Sequence, residues 1–282
     1  MDKNNHMNYC FDKQHIELSY ITHFFCDQGN INSLTDLLKV YESYSFDVVS
    51  KIQFIIVDDC SPVKYEIENY NLNITWLRIT DDIPWNQGGA RNLGVTHAKS
   101  DKIIITDLDH ILPEETLKHL VKKNNPGRDF FKIYRKDSTG KIYKGHSNLF
   151  FMSRARFIRF FGYDEEYSGG YGGEDYRFVK FHKYHGSRQR YLSKKFVCYE
   201  RELDRDNSYH NLVRDLSRNT IIDLKKEKEI YDYGFEHGHS RLFLNFKWEK
   251  VAEFQLPPPS YKKKRLWKHL WWFRWLSSAL AK

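Results

Sequence analysis

The chain has 282 residues, of which 40% are hydrophobic and 29% are charged. This balance is typical of a folded globular protein and excludes an intrinsically disordered chain. The formal net charge is +8, but seven basic residues and no acidic one lie between Pro257 and Lys282, so the rest of the chain is nearly neutral. A body that binds nucleic acid needs its own basic surface, so we predict no nucleic-acid partner.

Cysteine spacing and apolar run length exclude two further classes. Cys10, Cys26, Cys60 and Cys198 form no CxxC pair and match no zinc spacing, so we interpret them as reduced thiols. The polar first residues contain no apolar signal segment, and no apolar run reaches the length of about 18 residues that a membrane-spanning helix needs. These features predict a cytoplasmic protein.

Strand-like and helix-like segments alternate along the first half of the chain, and mixed segments follow. The predicted elements, in chain order, are a strand at Glu17–Phe25, a helix at Ser33–Tyr44, strands at Ile52–Val57 and Ile74–Ile79, a helix at Gly89–Ala98, a strand at Lys102–Thr106, a helix that begins near Pro113, strands at Phe130–Tyr134 and Leu149–Met152, and a helix after Gly173. This alternation predicts an α/β fold with a mostly parallel central sheet flanked by helices.

Acidic residues follow two of the predicted strands. Asp58 and Asp59 come at the end of IQFIIVDD, and Asp107 and Asp109 come after KIIIT. In open parallel sheets, ligands bind at the carboxyl ends of the strands. Carboxylates placed there can bind Mg²⁺ or Mn²⁺ together with the phosphates of a substrate. The DLD sequence therefore indicates a metal site, although a simple acidic turn after a strand has the same composition.

Residues 169–178 read GGYGGEDYRF and place four glycines directly before Glu174 and Asp175. Glycine is favoured where the backbone needs unusual dihedral angles or a close approach to another group. The two acids begin a predicted helix, whose positive end stabilises carboxylates. A flexible loop before a capped helix is the alternative. Just upstream, Asp164–Glu166 is expected to be a solvated acidic turn.

Three segments together resemble the GT-A glycosyltransferases, in particular the nucleotide-sugar enzymes of family 2. FIIVDDCSP (54–62) is similar to the first nucleotide-binding segment of that family, and residues 86–115 are similar to the segment that leads into its DxD metal site. Residues 145–178 resemble the C-terminal half-domain of β-1,4-galactosyltransferases and polypeptide N-acetylgalactosaminyltransferases. The resemblance extends roughly from residue 16 to residue 210 and implies a GT-A, Rossmann-like catalytic domain, which we place at residues 1–245.

The resemblance also implies roles for residues that bind the donor. Asp59, with Asp58 as a second candidate, would bind the base or the ribose. Arg91 would approach the base or the diphosphate. Asp107 and Asp109 would hold Mn²⁺ or Mg²⁺ on the diphosphate, with Asp107 also a candidate for the ribose.

Further roles that the resemblance implies concern the third metal ligand and the reacting groups. A later histidine often completes the metal site in such enzymes, which suggests His210, with Glu200 and His185 as competitors. Asp175 would be the catalytic base, and Glu174 would orient the acceptor or the base. The segment's glycines, including Gly172 and Gly173, would let the backbone lie against the donor sugar.

The last residues of the chain combine cations with aromatic side chains. After the stiff spacer Pro257–Pro259, residues 261–282 read YKKKRLWKHLWWFRWLSSALAK, with four tryptophans within nine positions. Such a segment favours an amphipathic helix in the headgroup plane, where each Lys or Arg contributes about 1 kcal/mol on an anionic leaflet. We therefore predict that residues 246–282 form a linker and a membrane-associating tail, peripheral on the inner face of the cell membrane. A helix docked on this protein or on a partner is the alternative.

These features predict a metal-dependent glycosyltransferase. It would move a hexose or N-acetylhexosamine from a UDP-sugar to a saccharide acceptor, lipid-linked acceptors included, in bacterial surface polysaccharide or lipooligosaccharide synthesis. An inverting reaction is favoured. The alternatives are a retaining enzyme of the same fold, a non-catalytic nucleotide-sugar or membrane-binding module, and a nucleotidyltransferase, for which the sequence lacks a glycine-lysine phosphate loop.

Overall fold

The computed structural model describes residues 15–145 and 148–258. The strands of this part of the chain are β1 (Leu18–Phe24), β2 (Ile52–Asp59), β3 (Asn73–Ile79), β4 (Lys102–Thr106), β5 (His110–Ile111), β6 (Asp129–Lys132), β7 (Tyr134–Lys136), β8 (Ile142–Tyr143), β9 (Phe150–Ser153), β10 (Arg188–Tyr191), β11 (Val197–Glu200) and β12 (Trp248–Phe254). The helices are α1 (Asn32–Glu42), α2 (Phe46–Val49), α3 (Gln87–Thr96), α4 (Glu114–Lys122), α5 (Arg154–Arg159), α6 (Glu174–Tyr184) and α7 (Ser217–Tyr233). Single 3₁₀ turns lie at Glu165–Tyr167 and Phe235–Gly238.

The main sheet has eight strands in the order β10-β6-β9-β4-β1-β2-β3-β12. Its centre, β4-β1-β2-β3, is parallel, whereas β9 and β12 join antiparallel. All eight residues of β2 are buried, as expected for a strand covered on both faces. The expected α/β fold with a mostly parallel central sheet flanked by helices is confirmed.

The main sheet leads directly into a second sheet. This second sheet has the order β5-β11-β7-β8, and β11 runs parallel to β7 and antiparallel to β5. Asp107–Asp109 forms the turn between β4 of the first sheet and β5 of the second. The order β3-β2-β1-β4 reverses direction between β1 and β4, and such a switch point is where open α/β sheets bind ligands.

The folded part of the chain extends beyond the end that the sequence suggested. Residues 246–258 were assigned to the linker, but Trp248–Phe254 is β12, which pairs with β3 at the edge of the main sheet. Helix α7 was not predicted either, because it buries only Asn219 and Lys226 and so shows no apolar stripe. The predicted tail, from residue 259 onward, lies outside the described residues.

The expected solvated turn at Asp164–Glu166 is wrong. Asp164 and Glu165 are buried, with 2% and 7% of their surface exposed. Asp164 Oδ2 lies 2.8 Å from Nζ of Lys226 on α7, and both side chains are 1% exposed. Glu165 accepts hydrogen bonds from the backbone N–H groups of Leu244 and Asn245. The turn therefore fastens α7 and the C-terminal segment to the domain.

No helix of the described residues is long and apolar enough to cross a lipid bilayer.

The buried pair between Asp164 and Lys226 predicts a large effect on stability. Lys226→Met leaves the Asp164 carboxylate buried without its cation, so we expect the free energy of unfolding to fall by about 3–5 kcal/mol. Denaturant titration of the purified variant measures this change. The matched control is Lys225→Met on the same helix, because the Lys225 side chain is 61% exposed and its removal should change stability little. Equal stability of the two variants would contradict the role of the pair.

Candidate active site

A cleft with a cavity volume of about 100 Å³ lies at the carboxyl ends of β1, β2 and β4. Its polar and aromatic lining is contributed by His23, Asp59, Trp85, Gln87, Asp107, Asp109, Tyr209 and His210. Residues from five separate parts of the sequence thus meet at the switch point. The cleft contains several of the residues that the sequence singled out.

The guanidinium of Arg91 joins two of the predicted site residues beside this cleft. Arg91 is fully buried in α3. Its Nη2 donates to Asp107 Oδ1 at 2.7 Å, and its Nη1 donates to Asp175 Oδ1 at 2.9 Å. The Tyr163 ring packs against the guanidinium, 5.0 Å from centroid to Cζ. The structure therefore brings the DLD turn and the GGED segment together through one cation.

Asp107 is held from its other side by the second sheet. Asn148 Nδ2 donates to Asp107 Oδ2 at 2.6 Å, and Arg135 of β7 donates to Asn148 Oδ1 at 2.8 Å. Arg135 in turn donates to Glu200 of β11 at 2.9 Å. Both carboxylate oxygens of Asp107 therefore already have protein partners. Burial alone would raise the pKa of Asp107, but the charges of Arg91, His23 and His110 together with the hydrogen bond from Arg91 outweigh it and hold this pKa well below its ordinary value.

Asp175 and Glu174 occupy the first turn of α6. Burial raises the pKa of Asp175 to about 7, because it outweighs the opposing effect of Arg91. Burial also raises the pKa of Glu174, whose Oε2 is buried without a hydrogen-bond partner. A carboxyl group with a pKa near neutrality can accept and release a proton under physiological conditions.

The glycines before these acids have a structural role within the protein itself. Gly172 and Gly173 have φ values of +83° and +94°, a region that side chains disfavour. A Cβ at Gly172 would lie 2.7 Å from Leu216, and one at Gly173 would lie 2.7 Å from the Tyr167 ring. The missing side chains therefore allow the loop to turn and to pack against the protein itself. That the backbone of these glycines also lies against a donor sugar stays a prediction.

The two acids at the end of β2 have separate environments. Asp58 is fully buried, and its oxygens accept hydrogen bonds from the backbone of Ser61, from Tyr65 and from Arg78. These contacts assign Asp58 to the strand-end turn. Asp59 instead lines the cleft, and its Oδ1 is buried without a partner. Burial, followed by repulsion from Asp58, raises the pKa of Asp59 to about 8.

Among the described residues, no group of three or more His, Cys, Asp or Glu side chains could hold a metal ion by itself. Mg²⁺ and Mn²⁺ sites on phosphate substrates often need only one or two protein ligands. Asp109 and His210 fit this requirement. Both line the cleft. His210 Nδ1 is buried without a hydrogen-bond partner, and Asp109 Oδ1 lies 3.1 Å from Nδ1 of the adjacent His110. Asp107, whose oxygens are occupied, fits less well.

The competitors for the histidine position do not line the cleft. Glu200 pairs with Arg135, and the His185 ring stacks on Phe160 with centroids 4.7 Å apart. His210 is the candidate that faces Asp107 and Asp109 across the cleft.

Several residues of the site were not predicted from the sequence. His23 lies at the end of β1 and lines the cleft, and burial lowers its pKa to about 4. Its position near the end of the first predicted strand was the available signal. Asn148 and Arg135 carried no such signal, because the contact of Asn148 with Asp107, and of Arg135 with Asn148, depends on how the second sheet folds back.

The chain is similar to known proteins both in sequence and in structure. The family model described as "Glycosyl transferase family 2" matches residues 32–186. Among curated protein sequences, none matches the chain.

Similar solved structures include S. aureus TarS 1–349 in complex with UDP-GlcNAc, at a TM-score of 0.53 and 17% identity, covering 76% of this chain and 66% of that chain. The mannosyltransferase PcManGT from Pyrobaculum calidifontis, in complex with GDP-Man and Mn²⁺, has a TM-score of 0.47 and 16% identity, with 70% and 60% covered. The catalytic domain of Drosophila β1,4-galactosyltransferase 7, in complex with xylobiose, has a TM-score of 0.40 and 13% identity, with 72% and 78% covered.

The chain therefore spans 66% of the length of the TarS fragment, and at this identity the likeness concerns the fold. That fold is the GT-A fold expected from the sequence. The family model matches more than half of the chain and includes α3, the DLD turn and the GGED segment. This protein belongs to glycosyl transferase family 2.

Proposed function

We propose that this protein transfers a hexose or N-acetylhexosamine from a UDP-sugar to a saccharide acceptor, with a divalent metal and with inversion at the anomeric carbon. The observation that carries the proposal is the double ion pair of Arg91 with Asp107 and Asp175, beside a cleft at the switch point of the sheet. It links the candidate catalytic base to the DLD turn. The UDP-GlcNAc bound to TarS supports a UDP-sugar as donor.

Asp59 is suited to recognise the base of the nucleotide. Its buried Oδ1 lacks a hydrogen-bond partner in the cleft, and a buried polar atom without a partner is costly. A ligand N–H placed there offsets that cost and favours the ionised carboxylate. Uracil offers such a group at N3 and guanine at N1, whereas cytosine and adenine present acceptor nitrogens at the corresponding positions. This chemistry is consistent with a UDP-sugar.

Asp109 and His210 would hold the metal, with the donor diphosphate and water as the remaining ligands. When bound, Mn²⁺ or Mg²⁺ supplies Lewis acidity to the departing diphosphate. Asp107, fixed by Arg91 and Asn148, would keep the DLD turn in place.

Asp175 would act as the general base in a single displacement. Its carboxylate takes the proton of an acceptor hydroxyl as that oxygen forms a bond to the anomeric carbon and the bond to the diphosphate breaks. Attack opposite the leaving group inverts the anomeric centre, as in single-displacement glycosidases. The pairing with Arg91 keeps one oxygen of Asp175 in a fixed direction, and Glu174 lies beside it to orient the base or the acceptor.

We also propose a biological setting for this activity, inferred from the sequence. The basic, tryptophan-rich composition of residues 261–282 is suited to an anionic membrane surface. A peripheral position on the inner face of the cell membrane would bring the cleft close to lipid-linked saccharide acceptors. Synthesis of bacterial surface polysaccharide or lipooligosaccharide uses acceptors of this kind.

Removing the Asp59 side chain should weaken nucleotide binding. We expect Asp59→Ala to raise the dissociation constant for UDP about 10- to 100-fold, because a hydrogen bond to a charged group contributes roughly 1.5–3 kcal/mol. Calorimetry with UDP and CDP measures the effect, with the exposed neighbour Asp82→Ala as control. Wild-type protein that binds CDP as tightly as UDP would contradict the recognition of the base by Asp59.

Replacing the proposed base should separate binding from transfer. Asp175→Asn keeps the shape of the side chain and one acceptor oxygen for Arg91, so donor affinity should change little. The transfer rate should fall about 10²- to 10⁴-fold, the usual contribution of a general base. Asp232→Asn, an acid at the end of α7, is the control. Full transfer by Asp175→Asn, or retained anomeric configuration by NMR of the product, would overturn this mechanism.

The metal proposal predicts loss of transfer on chelation. Protein treated with EDTA should lose activity and regain it with added Mn²⁺. Asp109→Asn and His210→Ala should each weaken Mn²⁺ binding in the presence of UDP, as measured by the EPR signal of free Mn²⁺. Undiminished turnover by the chelated protein would show that the reaction needs no metal.

A further inference from the structure

His210 lies in a segment without helix or strand, residues 204–213, which we call the His210 segment. Irregular segments usually have more conformational freedom than strands, and a metal ligand on one loses that freedom when the metal binds. The other proposed ligand, Asp109, is fixed by the turn between β4 and β5. The position of His210 therefore depends on whatever holds this segment.

The turn after β1 holds the residues on both sides of His210. The Asp27 carboxylate accepts the backbone N–H of Asn211 at 3.0 Å and the Asn211 side-chain amide at 3.1 Å. Gln28 Oε1 accepts the backbone N–H of Tyr209 at 2.8 Å, and Gln28 Nε2 donates to the carbonyl of Arg205 at 2.7 Å. Two consecutive side chains thus fix the residues before and after the histidine.

Trp85 also holds the same segment by direct contacts. Its Nε1 donates to the carbonyl of Val213 at 3.0 Å, and its ring meets the His210 imidazole edge to face at 5.0 Å. The other face of His210 stacks on Tyr209 at 4.2 Å. Trp85 has a φ of +54°, a strained value for a bulky residue. Such outliers persist where the surrounding structure requires them and are common at ligand sites.

We propose that Asp27, Gln28 and Trp85 form a clamp of positioning residues that fixes His210 before metal and donor bind. The proposal rests on the assignment of His210 as a metal ligand. Because the clamp orders the segment in advance, metal binding no longer has to supply that ordering, and the affinity for the metal rises accordingly. None of the three residues needs to touch the metal.

The test measures Mn²⁺ affinity in the presence of saturating UDP, by EPR, and UDP affinity without metal, by calorimetry. Asp27→Ala removes both hydrogen bonds to Asn211, and Trp85→Phe removes the indole N–H while keeping an aromatic face. We expect each to weaken Mn²⁺ binding about 10-fold, as loss of supporting residues around a metal usually does. For Asp27→Ala, whose side chain does not line the cleft, UDP affinity without metal should stay within about two-fold of the wild type.

Two matched controls test whether the effect is specific. Trp248 on β12 meets His97 edge to face at 4.8 Å, outside the cleft, so Trp248→Phe makes the same change at an equivalent tryptophan–histidine contact. Asp137 accepts the backbone N–H groups of Thr139 and Lys141 in the loop between β7 and β8, so Asp137→Ala removes an equivalent carboxylate. Neither control should change Mn²⁺ affinity.

A double-mutant cycle with His210→Ala identifies the route of the effect. If the clamp acts through His210, Asp27→Ala should cause no further loss of Mn²⁺ affinity in a His210→Ala background. A clamp variant that lowers the melting temperature but leaves Mn²⁺ affinity unchanged would overturn the inference. If clamp variants have no effect while His210→Ala weakens Mn²⁺ binding, the clamp is wrong and the proposed metal site stands. If His210→Ala also has no effect, both are wrong.

Discussion

The architecture of the site depends on the burial of one arginine. A guanidinium cannot lose its charge inside a protein, so a fully buried Arg91 requires carboxylates at hydrogen-bonding distance. One comes from the DLD turn after β4 and the other from the first turn of α6. Neither segment is near Arg91 in sequence, so the electrostatic requirement of one residue fixes the mutual position of three elements.

The burial of Arg91 also gives the acids of the site different roles. Asp107 is committed on one side to Arg91 and on the other to Asn148, which connects it to the second sheet through Arg135. Its carboxylate therefore acts mainly as the joint between the two sheets. Asp109, two residues on, lines the cleft, and its Oδ1 has the Nδ1 of the adjacent His110 as its neighbour at 3.1 Å. A DxD sequence can thus combine a structural acid with one that is available to a ligand.

The sequence predicted the central strands because strands buried on both faces are continuous apolar runs, as in β2 and β4. It also predicted which acids gather at the strand ends, because parallel strands end at one edge. It failed where a residue's environment depends on distant partners. Asp164 looks like a solvated acid until Lys226 of α7 lies against it. The sequence likewise does not show that Leu216 and the Tyr167 ring occupy the space beside Gly172 and Gly173 of the GGYGG loop.

The environment of residues 204–213, the least regular part of the cleft, also depends on distant partners. Nothing in residues 204–213 predicts order, because the groups that fix them are Asp27 and Gln28 after β1 and Trp85 before α3. Strand ends supply rigid positions for Asp59 and Asp109, but a sheet edge is open to solvent on its other side. A site that surrounds a nucleotide sugar needs a second wall, and here that wall is irregular backbone. The order of this backbone comes from Asp27, Gln28 and Trp85. The position of His210 therefore depends on the sheet and the turns that carry these three side chains.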